Sequence, residues 1–352
     1  MSTPIGQQWT LVNDHEDLLG ADFRARTFAF PGPKSSVHTT LINHLGNPNV
    51  KRAILYVHGY TDYFFQTGLA DYFIDQNYRF YAVDLQGYGR SIRPSTPPNW
   101  CDSIEQYGQD LDIALITMKQ EGVDEVIILA HSTGGLIVST YLAQPYAPNE
   151  RESHYQKDFP NIIGLILNSP FLALPFPPAV LNRVSWPIRM LVSLLPFSYL
   201  RAKKISIYAK SIHTKFGGQW DYRLDWKPAE GFPLAFKWLK EVILAQRNLA
   251  KQRLSIPTLM CHATKTTIGK LTVEETQQGD GVLDVDSMLE AAQKTFRNLT
   301  TAAIDNGYHD LYLSKPEAQR DYLDSIHDWL TKFHVPNTTP SPNEKVTPPD
   351  EA

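Results

Sequence analysis

The chain has 352 residues, of which 42% are hydrophobic and 20% are charged, values typical of a globular protein with a sizeable core. Its formal net charge of -4 at pH 7 gives no electrostatic reason to expect a nucleic acid or an anionic membrane as a partner. The two cysteines, Cys101 and Cys261, do not suggest a disulfide framework, so we expect reduced thiols and a cytoplasmic protein.

The composition of the two ends of the chain leads us to expect neither a targeting segment nor a membrane-spanning one. Residues 1–22 are polar and acidic, with no apolar run preceded by lysines, so we expect no signal peptide. No run of about 18 uncharged apolar residues occurs in the chain, and no transmembrane helix is predicted. Residues 334–352 are rich in Pro, Thr, Asn and charge, a composition typical of a disordered tail.

The first half of the chain alternates between strand and helix patterns. Residues 21–30 and 36–45 flank the turn signal Pro31-Gly32-Pro33 and predict an antiparallel hairpin at the edge of a sheet. Buried strands and amphipathic helices then alternate, with strands at 52–57, 80–84, 126–129 and 162–167 and helices at 66–76 and 103–121. This alternation predicts an α/β fold with a mostly parallel central sheet and helices on both faces.

The alternation breaks between residues 171 and 250. This segment is rich in Leu, Phe, Trp and Pro and contains no convincing buried strand, so it predicts a helical cap inserted between two strands of the sheet. The predicted domains are therefore a core of residues 1–170 and 251–333, a cap of residues 171–250 and a tail of residues 334–352.

The sheet resumes after the cap with a strand at 257–261. A long polar loop, 264–279, follows it and precedes a helix at about 286–296. The last predicted elements are a strand at about 299–304 and a helix at about 316–333.

One stretch has the features of a reactive serine. Residues 126–129 predict a buried strand, and a helical pattern begins at Leu136. Ser132 lies at the turn between them, with the small residues Ala130 and Gly134 two positions before and after it. A sharp strand–turn–helix with a serine at its apex is typical of a nucleophile elbow, although the first small position usually holds Gly.

A serine hydroxyl needs a general base, and the base needs a carboxylate that orients it. His309 is the candidate base because it follows the last predicted strand, and Asp280 is the candidate acid in the loop after the 257–261 strand. The carboxyl ends of parallel strands lie at one edge of a sheet, so we expect both side chains to lie near Ser132.

Three other carboxylates compete for the role of the acid. Asp284 and Asp286 lie just before a predicted helix and have the position of capping residues. Asp310 is adjacent to His309, and neighbouring side chains in a loop rarely pair in the required geometry. Loop position therefore favours Asp280.

Backbone N–H groups must meet the negative charge that grows on a carbonyl oxygen during attack. The expected donors are Thr133, directly after the serine, and Tyr60, in the loop after the 52–57 strand. His58 is expected to brace that loop. His131 is a candidate for lining the pocket or for packing beside the serine.

The Gly87-Tyr88-Gly89 segment raises the alternative of a dinucleotide site. The third glycine of that motif is missing and no helix pattern begins there, so a tight structural turn is the better interpretation. We expect neither a cofactor nor a metal ion.

These pieces together resemble the lysophospholipase and monoglyceride-lipase-like group of serine hydrolases, also called the serine aminopeptidase S33 type. The matching motifs lie in order at 58–63, 84–91, 130–135, 279–285 and 308–311. The resemblance implies an α/β-hydrolase fold, a serine esterase triad of Ser132, Asp280 and His309, and a lid formed by the insertion. The 264–279 loop is longer than the usual connection in the group.

The cap carries many apolar residues, among them Leu172 and Leu174, which are the candidates for substrate contact. They are expected either to pack the cap on the core or to line an acyl-chain pocket that touches a membrane surface transiently. Each buried methylene adds about 0.8 kcal/mol, so a few such side chains can select for acyl length.

The expected function is hydrolysis of a lipid-like carboxylic ester, such as a lysophospholipid or a monoacylglycerol, through an acyl-enzyme. The alternatives are an S33-type aminopeptidase, an acyltransferase and a non-catalytic binding module. An aminopeptidase should carry acidic residues in the cap to hold a substrate amine, and Glu230 and Asp225 are present there but form no clear cluster. A dehalogenase or an epoxide hydrolase would place aspartate where Ser132 stands. The expected partner is a small-molecule or lipid ester, and the oligomeric state stays open.

Overall fold

The structure of the protein is a computed structural model that describes residues 9–32, 36–144, 157–175 and 204–333, together with 187, 190, 192, 195 and 198–201. The predicted tail, 334–352, and much of the segment between 176 and 203 lie outside the described residues.

The elements follow one another along the chain in nearly the predicted order. The strands are β1 (Thr10–Glu16), β2 (Phe23–Pro31), β3 (Ser36–His44), β4 (Arg52–Val57), β5 (Arg79–Asp84), β6 (Glu125–His131), β7 (Asn161–Asn168), β8 (Tyr199–Leu200), β9 (Leu234–Ala235), β10 (Thr258–Ala263) and β11 (Leu299–Ile304). The helices with described bounds are α1 (Thr67–Asp75), α2 (Gly108–Gln120), α3 (Thr133–Leu142), α4 (Ile207–Ile212), α5 (Phe236–Leu249), α6 (Val273–Thr276), α7 (Val285–Thr295) and α8 (Pro316–Phe333).

Nine strands form one sheet in the order β1-β2-β3-β5-β4-β6-β7-β10-β11. All neighbouring strands from β5 to β11 in that order run parallel, whereas β1, β2 and β3 are antiparallel to their neighbours. The mostly parallel sheet predicted from the sequence is therefore confirmed. Strands β8 and β9 form a separate two-stranded ribbon.

The prediction that the β2–β3 hairpin forms the sheet edge is wrong, because β1 pairs with β2 outside it. Every residue of β1 is exposed, so the strand shows no alternation of apolar and polar residues that would reveal it. Its pairing is supported by a cross-strand ion pair in which Arg24 Nη2 donates to Asp14 Oδ2 at 2.8 Å.

The core lies on both faces of the sheet. Alternate residues of β6 point to opposite faces, so Ile128 packs in one hydrophobic cluster and Ile127 and Leu129 pack in the other. All three are fully buried, and burial of each such side chain stabilises the fold by about 1.5–3 kcal/mol. This double burial explains why the sequence of β6 is an almost uninterrupted apolar run.

The strand β10 pairs directly with β7, although residues 169–257 separate them in the chain. The described elements between residues 171 and 250, namely β8, α4, a 3₁₀ helix at Thr214–Phe216, β9 and α5, lie outside the nine-stranded sheet. Within the described residues, no helix combines the length and the apolar character that crossing a bilayer requires.

Candidate active site

Three loops at one edge of the sheet bring Ser132, Asp280 and His309 together. Ser132 follows β6 directly, Asp280 lies in the loop after β10, and His309 follows β11. Because β6, β10 and β11 belong to the same parallel set, their carboxyl ends lie at the same edge. The three side chains are buried, with exposed fractions of 7%, 0% and 4%.

The turn at Ser132 forces its backbone into an unusual conformation, with φ 52° and ψ -118°. A non-glycine residue in this region stores about 1–3 kcal/mol of strain. Backbone hydrogen bonds to neighbouring segments hold the strained turn. The Ser132 N–H donates to the Asn168 carbonyl at 2.9 Å, and the Ser132 carbonyl accepts from the Phe171 N–H at 2.9 Å.

The elbow also requires a glycine at position 134, two residues after Ser132. A Cβ atom there would lie 2.5 Å from the His58 carbonyl oxygen and 2.6 Å from that of Val57, because the start of α3 packs directly against the end of β4. Ala130 occupies the other small position, fully buried in β6, and its methyl group is accommodated. The departure from glycine noted in the sequence therefore leaves the elbow intact.

A continuous hydrogen-bonded chain links the serine to a carboxylate. His309 Nε2 lies 2.9 Å from Ser132 Oγ, and His309 Nδ1 lies 2.9 Å from Asp280 Oδ2. An ionised carboxylate only accepts hydrogen bonds, so Nδ1 carries the proton and Nε2 presents its lone pair to the serine hydroxyl. This tautomer is the one that allows the imidazole to take the proton of Ser132.

The Asp280 carboxylate is itself held in place. Its Oδ1 accepts from the Val282 and Leu283 N–H groups, each at 2.8 Å, which leaves Oδ2 for His309. The Asp280 N–H donates to the Lys265 carbonyl at 2.9 Å, and its carbonyl accepts from the Thr267 N–H at 2.7 Å. The long loop after β10 therefore folds back on itself, and backbone hydrogen bonds at Asp280 hold its two ends together.

The competing carboxylates have other partners. Asp284 caps α7, with Oδ1 accepting from the Ser287 N–H at 2.9 Å. Asp310 Oδ1 accepts from Asn168 Nδ2 at 2.8 Å, and its Oδ2 accepts from Gln66 Nε2 at 3.2 Å. The structure thus places Asp280, and neither of these two, against His309.

The expected oxyanion donors lie on either side of the serine. Thr133 is the first residue of α3, where backbone N–H groups have no partner within the helix, and Tyr60 lies in the loop after β4. Both line the same cavity as Ser132 and His309. Gly59 brings the loop close, since a Cβ atom on it would lie 3.1 Å from Ser132 Cβ.

His58 braces this loop in the expected manner. Its Nδ1 donates to the Gly59 carbonyl at 2.8 Å, and its Nε2 accepts from the Leu85 N–H at 3.1 Å. Burial lowers the pKa of His58, so the ring stays neutral and keeps both roles at neutral pH. The loop after β4 is therefore tied to the loop after β5.

The reactive groups face a cavity of about 750 Å³ between the sheet edge and residues 171–250. Two of the three candidate substrate residues, His131 and Leu174, line this cavity. Leu172 does not, because its side chain packs in the core cluster with 4% exposure, and Phe171 forms the wall instead. Other lining residues from this segment include Ile207, Tyr208, Ile212, Tyr222, Lys227 and Trp238.

A buried ion pair that the sequence did not reveal lies in the wall of the cavity. Lys227 Nζ lies 2.5 Å from Asp62 Oδ1, and Asp62 is 2% exposed. Burial favours the neutral acid, but Lys227 together with the nearby His131 and His58 lowers the pKa of Asp62 below its ordinary value. Asp62 Oδ2 is buried and has no hydrogen-bond partner in the described part of the chain.

Asn168 and Tyr208, also missed, position the loop that carries His309. Asn168 ends β7; its Nδ2 donates to Asp310 Oδ1 and its Oδ1 accepts from the Leu311 N–H at 3.2 Å. Tyr208 accepts from the Asp310 N–H at 3.0 Å through its hydroxyl. The position of Asn168 at the carboxyl end of β7 was the available signal, whereas Tyr208 and Lys227 lie in no motif.

Comparison with known proteins places this geometry in a wider group. The sequence of residues 48–315 matches the family model described as serine aminopeptidase, S33. A curated relative, epoxide hydrolase 1 of Caenorhabditis elegans, is 22% identical over 306 residues. That match covers 80% of this chain and 66% of the relative, just under two thirds of its length.

Solved structures share the fold at low sequence identity. A soluble variant of the monoglyceride lipase of Saccharomyces cerevisiae, in complex with a substrate analog, has a TM-score of 0.60 at 14% identity, over 87% of this chain and 95% of that one. A monoacylglycerol lipase of Paleococcus ferrophilus has a TM-score of 0.56 at 18% identity, over 82% and 96%. A carboxyl esterase of Bacillus coagulans has a TM-score of 0.55 at 13% identity, over 88% and 98%.

Proposed function

The chain belongs to the serine aminopeptidase S33 family of hydrolases and has the α/β-hydrolase fold, and from this premise we propose that it cleaves lipid-like carboxylic esters through Ser132. The observation that carries the proposal is the hydrogen-bonded chain from Ser132 through His309 to Asp280, buried at one edge of the sheet. A chain of this kind supports nucleophilic catalysis by the serine.

In the proposed first half-reaction, His309 Nε2 takes the hydroxyl proton while Ser132 Oγ attacks the carbonyl carbon of the ester. The oxygen that becomes negative accepts hydrogen bonds from the Tyr60 and Thr133 N–H groups. His309 then gives its proton to the leaving alcohol, and the acyl group stays on Ser132. Asp280 remains ionised and stabilises the imidazolium through Nδ1.

The second half-reaction repeats these steps with water. His309 removes a proton from a water molecule, whose oxygen attacks the acyl carbon, and the oxyanion again faces Tyr60 and Thr133. Collapse of the intermediate returns the proton to Ser132 Oγ and releases the carboxylic acid. An acyltransferase would use the same residues and replace water by an acceptor alcohol.

The walls of the cavity support an apolar acyl group. Phe171, Leu174, Ile207 and Ile212 contribute side chains, and a volume of about 750 Å³ holds a ligand much larger than an acetyl ester. We assign residues 171–250 as the cap that supplies most of this surface, over a core of 1–170 and 251–333.

Exposed apolar side chains on the cap support a transient contact with a lipid surface. Leu195 and Leu200 are 57% and 59% exposed, and Met190 is 47% exposed. Isolated apolar residues are common on protein surfaces, but these three lie in one segment of the cap. A lysophospholipid or a monoacylglycerol is the substrate class that fits both features.

An S33-type aminopeptidase is the second candidate, because Asp62 and Glu230 line the cavity and an acidic group can hold a substrate amine. Lys227 already pairs with Asp62 and opposes the binding of a second cation there. Asp225 is exposed and pairs with Arg223 at 2.6 Å, so it contributes nothing to the cavity. An epoxide hydrolase is disfavoured because the apex of the elbow holds a serine.

A panel of p-nitrophenyl esters of rising acyl length, set against aminoacyl p-nitroanilides, tests the proposal. We expect ester hydrolysis to be faster than anilide cleavage. We also expect kcat/KM to rise about fourfold for each methylene added to the acyl chain, until the cavity is full, because each buried methylene contributes about 0.8 kcal/mol. Faster cleavage of the anilides would favour the aminopeptidase. Equal rates for all esters would refute the acyl pocket, and Ser132→Ala gives the background.

A further inference from the structure

A second cavity, of about 210 Å³, lies apart from the catalytic one and shares no lining residue with it. It opens between the start of β3, the turn at Gly87 and the segment that runs from Arg93 to Gln106. None of the residues assigned to catalysis faces it, so it has no role in the proposed reaction.

The cavity contains a cationic group, Arg93, that no carboxylate of the described residues pairs with. Arg93 is half-buried, and its Nη1 donates to the carbonyls of Arg90 and Ile92, each at 2.8 Å. No carboxylate of the described chain forms an ion pair with it. Two of its five N–H donors are used in this way, which leaves the Nε and Nη2 edge for an acceptor from outside the protein.

The side chains around Arg93 include polar groups and one aromatic ring. His38 contributes a buried Nδ1 atom that has no hydrogen-bond partner among the described residues. Ser95 and Thr96 add hydroxyl groups, and Trp100 adds an indole ring. Burial, together with the charge of Arg93, lowers the pKa of His38, so Arg93 supplies the cationic charge at neutral pH.

We propose that this cavity binds a small organic monocarboxylate with a flat apolar body. The carboxylate accepts two parallel hydrogen bonds from the free edge of Arg93, the geometry in which a guanidinium binds such groups most strongly. The apolar body then packs against Trp100. An unpaired, half-buried guanidinium is costly, and a bound carboxylate removes that cost.

The charge balance selects a monoanion over a phosphate dianion. Arg93 provides one positive charge, which neutralises a monoanion, whereas a dianion would keep a second, uncompensated charge beside Asp102, which is exposed at the same cavity. The cavity is also less than a third of the volume of the catalytic one, which excludes a long acyl chain as the ligand.

Ligand-observed NMR titration with benzoate, on the Ser132→Ala protein, tests the proposal independently of catalysis. We expect saturable binding that weakens by about tenfold or more in Arg93→Gln, as the loss of a charged hydrogen-bond pair predicts. Arg93→Lys keeps the charge but loses the fork, and we expect an intermediate affinity. Arg297→Gln, an exposed arginine outside the cavity, is the matched control and should bind like the parent.

Several results would overturn the site. Benzoate that fails to bind the parent protein, or that binds Arg93→Gln as well as the parent, would refute the role of Arg93. Inorganic phosphate that binds more tightly than benzoate would refute the carboxylate assignment. Benzyl alcohol, which keeps the ring and lacks the charge, should bind more weakly than benzoate, and equal binding would contradict the role of the ion pair. Circular dichroism melting of each variant separates loss of binding from loss of fold.

Discussion

Replacing Asp280 by asparagine exchanges one carboxylate oxygen for an NH₂ group and is expected to abolish most of the activity. Asp280 Oδ1 accepts from the Val282 and Leu283 N–H groups at 2.8 Å, and an amide can satisfy both only with its carbonyl oxygen. The amide NH₂ then points at His309 Nδ1, where Asp280 Oδ2 lay at 2.9 Å. Because NH₂ is a donor, His309 must carry its proton on Nε2.

A histidine with its proton on Nε2 cannot take the proton of Ser132. The same wrong tautomer lowers kcat about 10⁴-fold in a serine protease triad, and we expect a similar loss here, equivalent to about 5.4 kcal/mol of transition-state stabilisation. The assay is the initial rate of p-nitrophenyl ester hydrolysis under saturating substrate. The loop should stay folded in Asp280→Asn, because the amide oxygen keeps both backbone contacts of Oδ1.

Asp284→Asn is the matched control, a carboxylate four residues further along the same loop. Asp284 caps α7, and asparagine caps helices nearly as well as aspartate, so we expect kcat within about threefold of the parent and little change in melting temperature. An Asp280→Asn protein that retains activity within about tenfold of the parent, or a larger loss in Asp284→Asn, would refute the assignment of the acid.

Two further substitutions probe the packing of the site. In Gly134→Ala the new methyl group would lie 2.5 Å from the His58 carbonyl oxygen. We therefore expect the free energy of unfolding in urea to fall by about 1–3 kcal/mol and kcat to fall as well. Parent-like values of both would contradict the close packing of the elbow. Lys227→Met leaves Asp62 buried without its counter-charge, and we expect a loss of about 3–5 kcal/mol at pH 7. The pKa of Asp62 is lowered in the folded protein, so its ionised carboxylate stabilises the fold above the unfolded pKa. This contribution disappears as the pH falls through the folded pKa. The difference in unfolding free energy between Lys227→Met and the parent should therefore shrink in acid. Lys294→Met, which breaks an exposed ion pair, should cost less than about 1 kcal/mol, and equal losses in the two variants would refute the special role of the buried pair.

The central sheet could be predicted because its strands are buried on both faces. Each of β4, β6 and β7 contains a short run of apolar residues, and such runs need no knowledge of the neighbours to be recognised. Strand β1 escaped prediction because all its residues are exposed, so backbone pairing with β2 alone defines it.

Within the site, residues tied to a local backbone pattern could be predicted and those tied to tertiary packing could not. Ser132 was found because its turn requires small neighbours, and His309 because it follows the last strand. Lys227 has no such pattern, since only the folded cap brings it to Asp62. For Leu172 the sequence left open packing on the core or lining the pocket, and it packs in the core cluster; the sequence does not decide this because the direction of a side chain just after a strand depends on how the chain leaves the sheet.

The most direct test of the central claim, that His309 activates the Ser132 hydroxyl, is the rate and place of labelling by a fluorophosphonate, read by mass spectrometry of the digested protein. We predict one adduct, on the peptide that contains Ser132, and no adduct in Ser132→Ala. In His309→Ala we predict that the labelling rate falls about a hundredfold or more, since general-base catalysis contributes about 10²–10⁴-fold. An adduct on another residue, or one that forms at the parent rate without His309, would contradict the account.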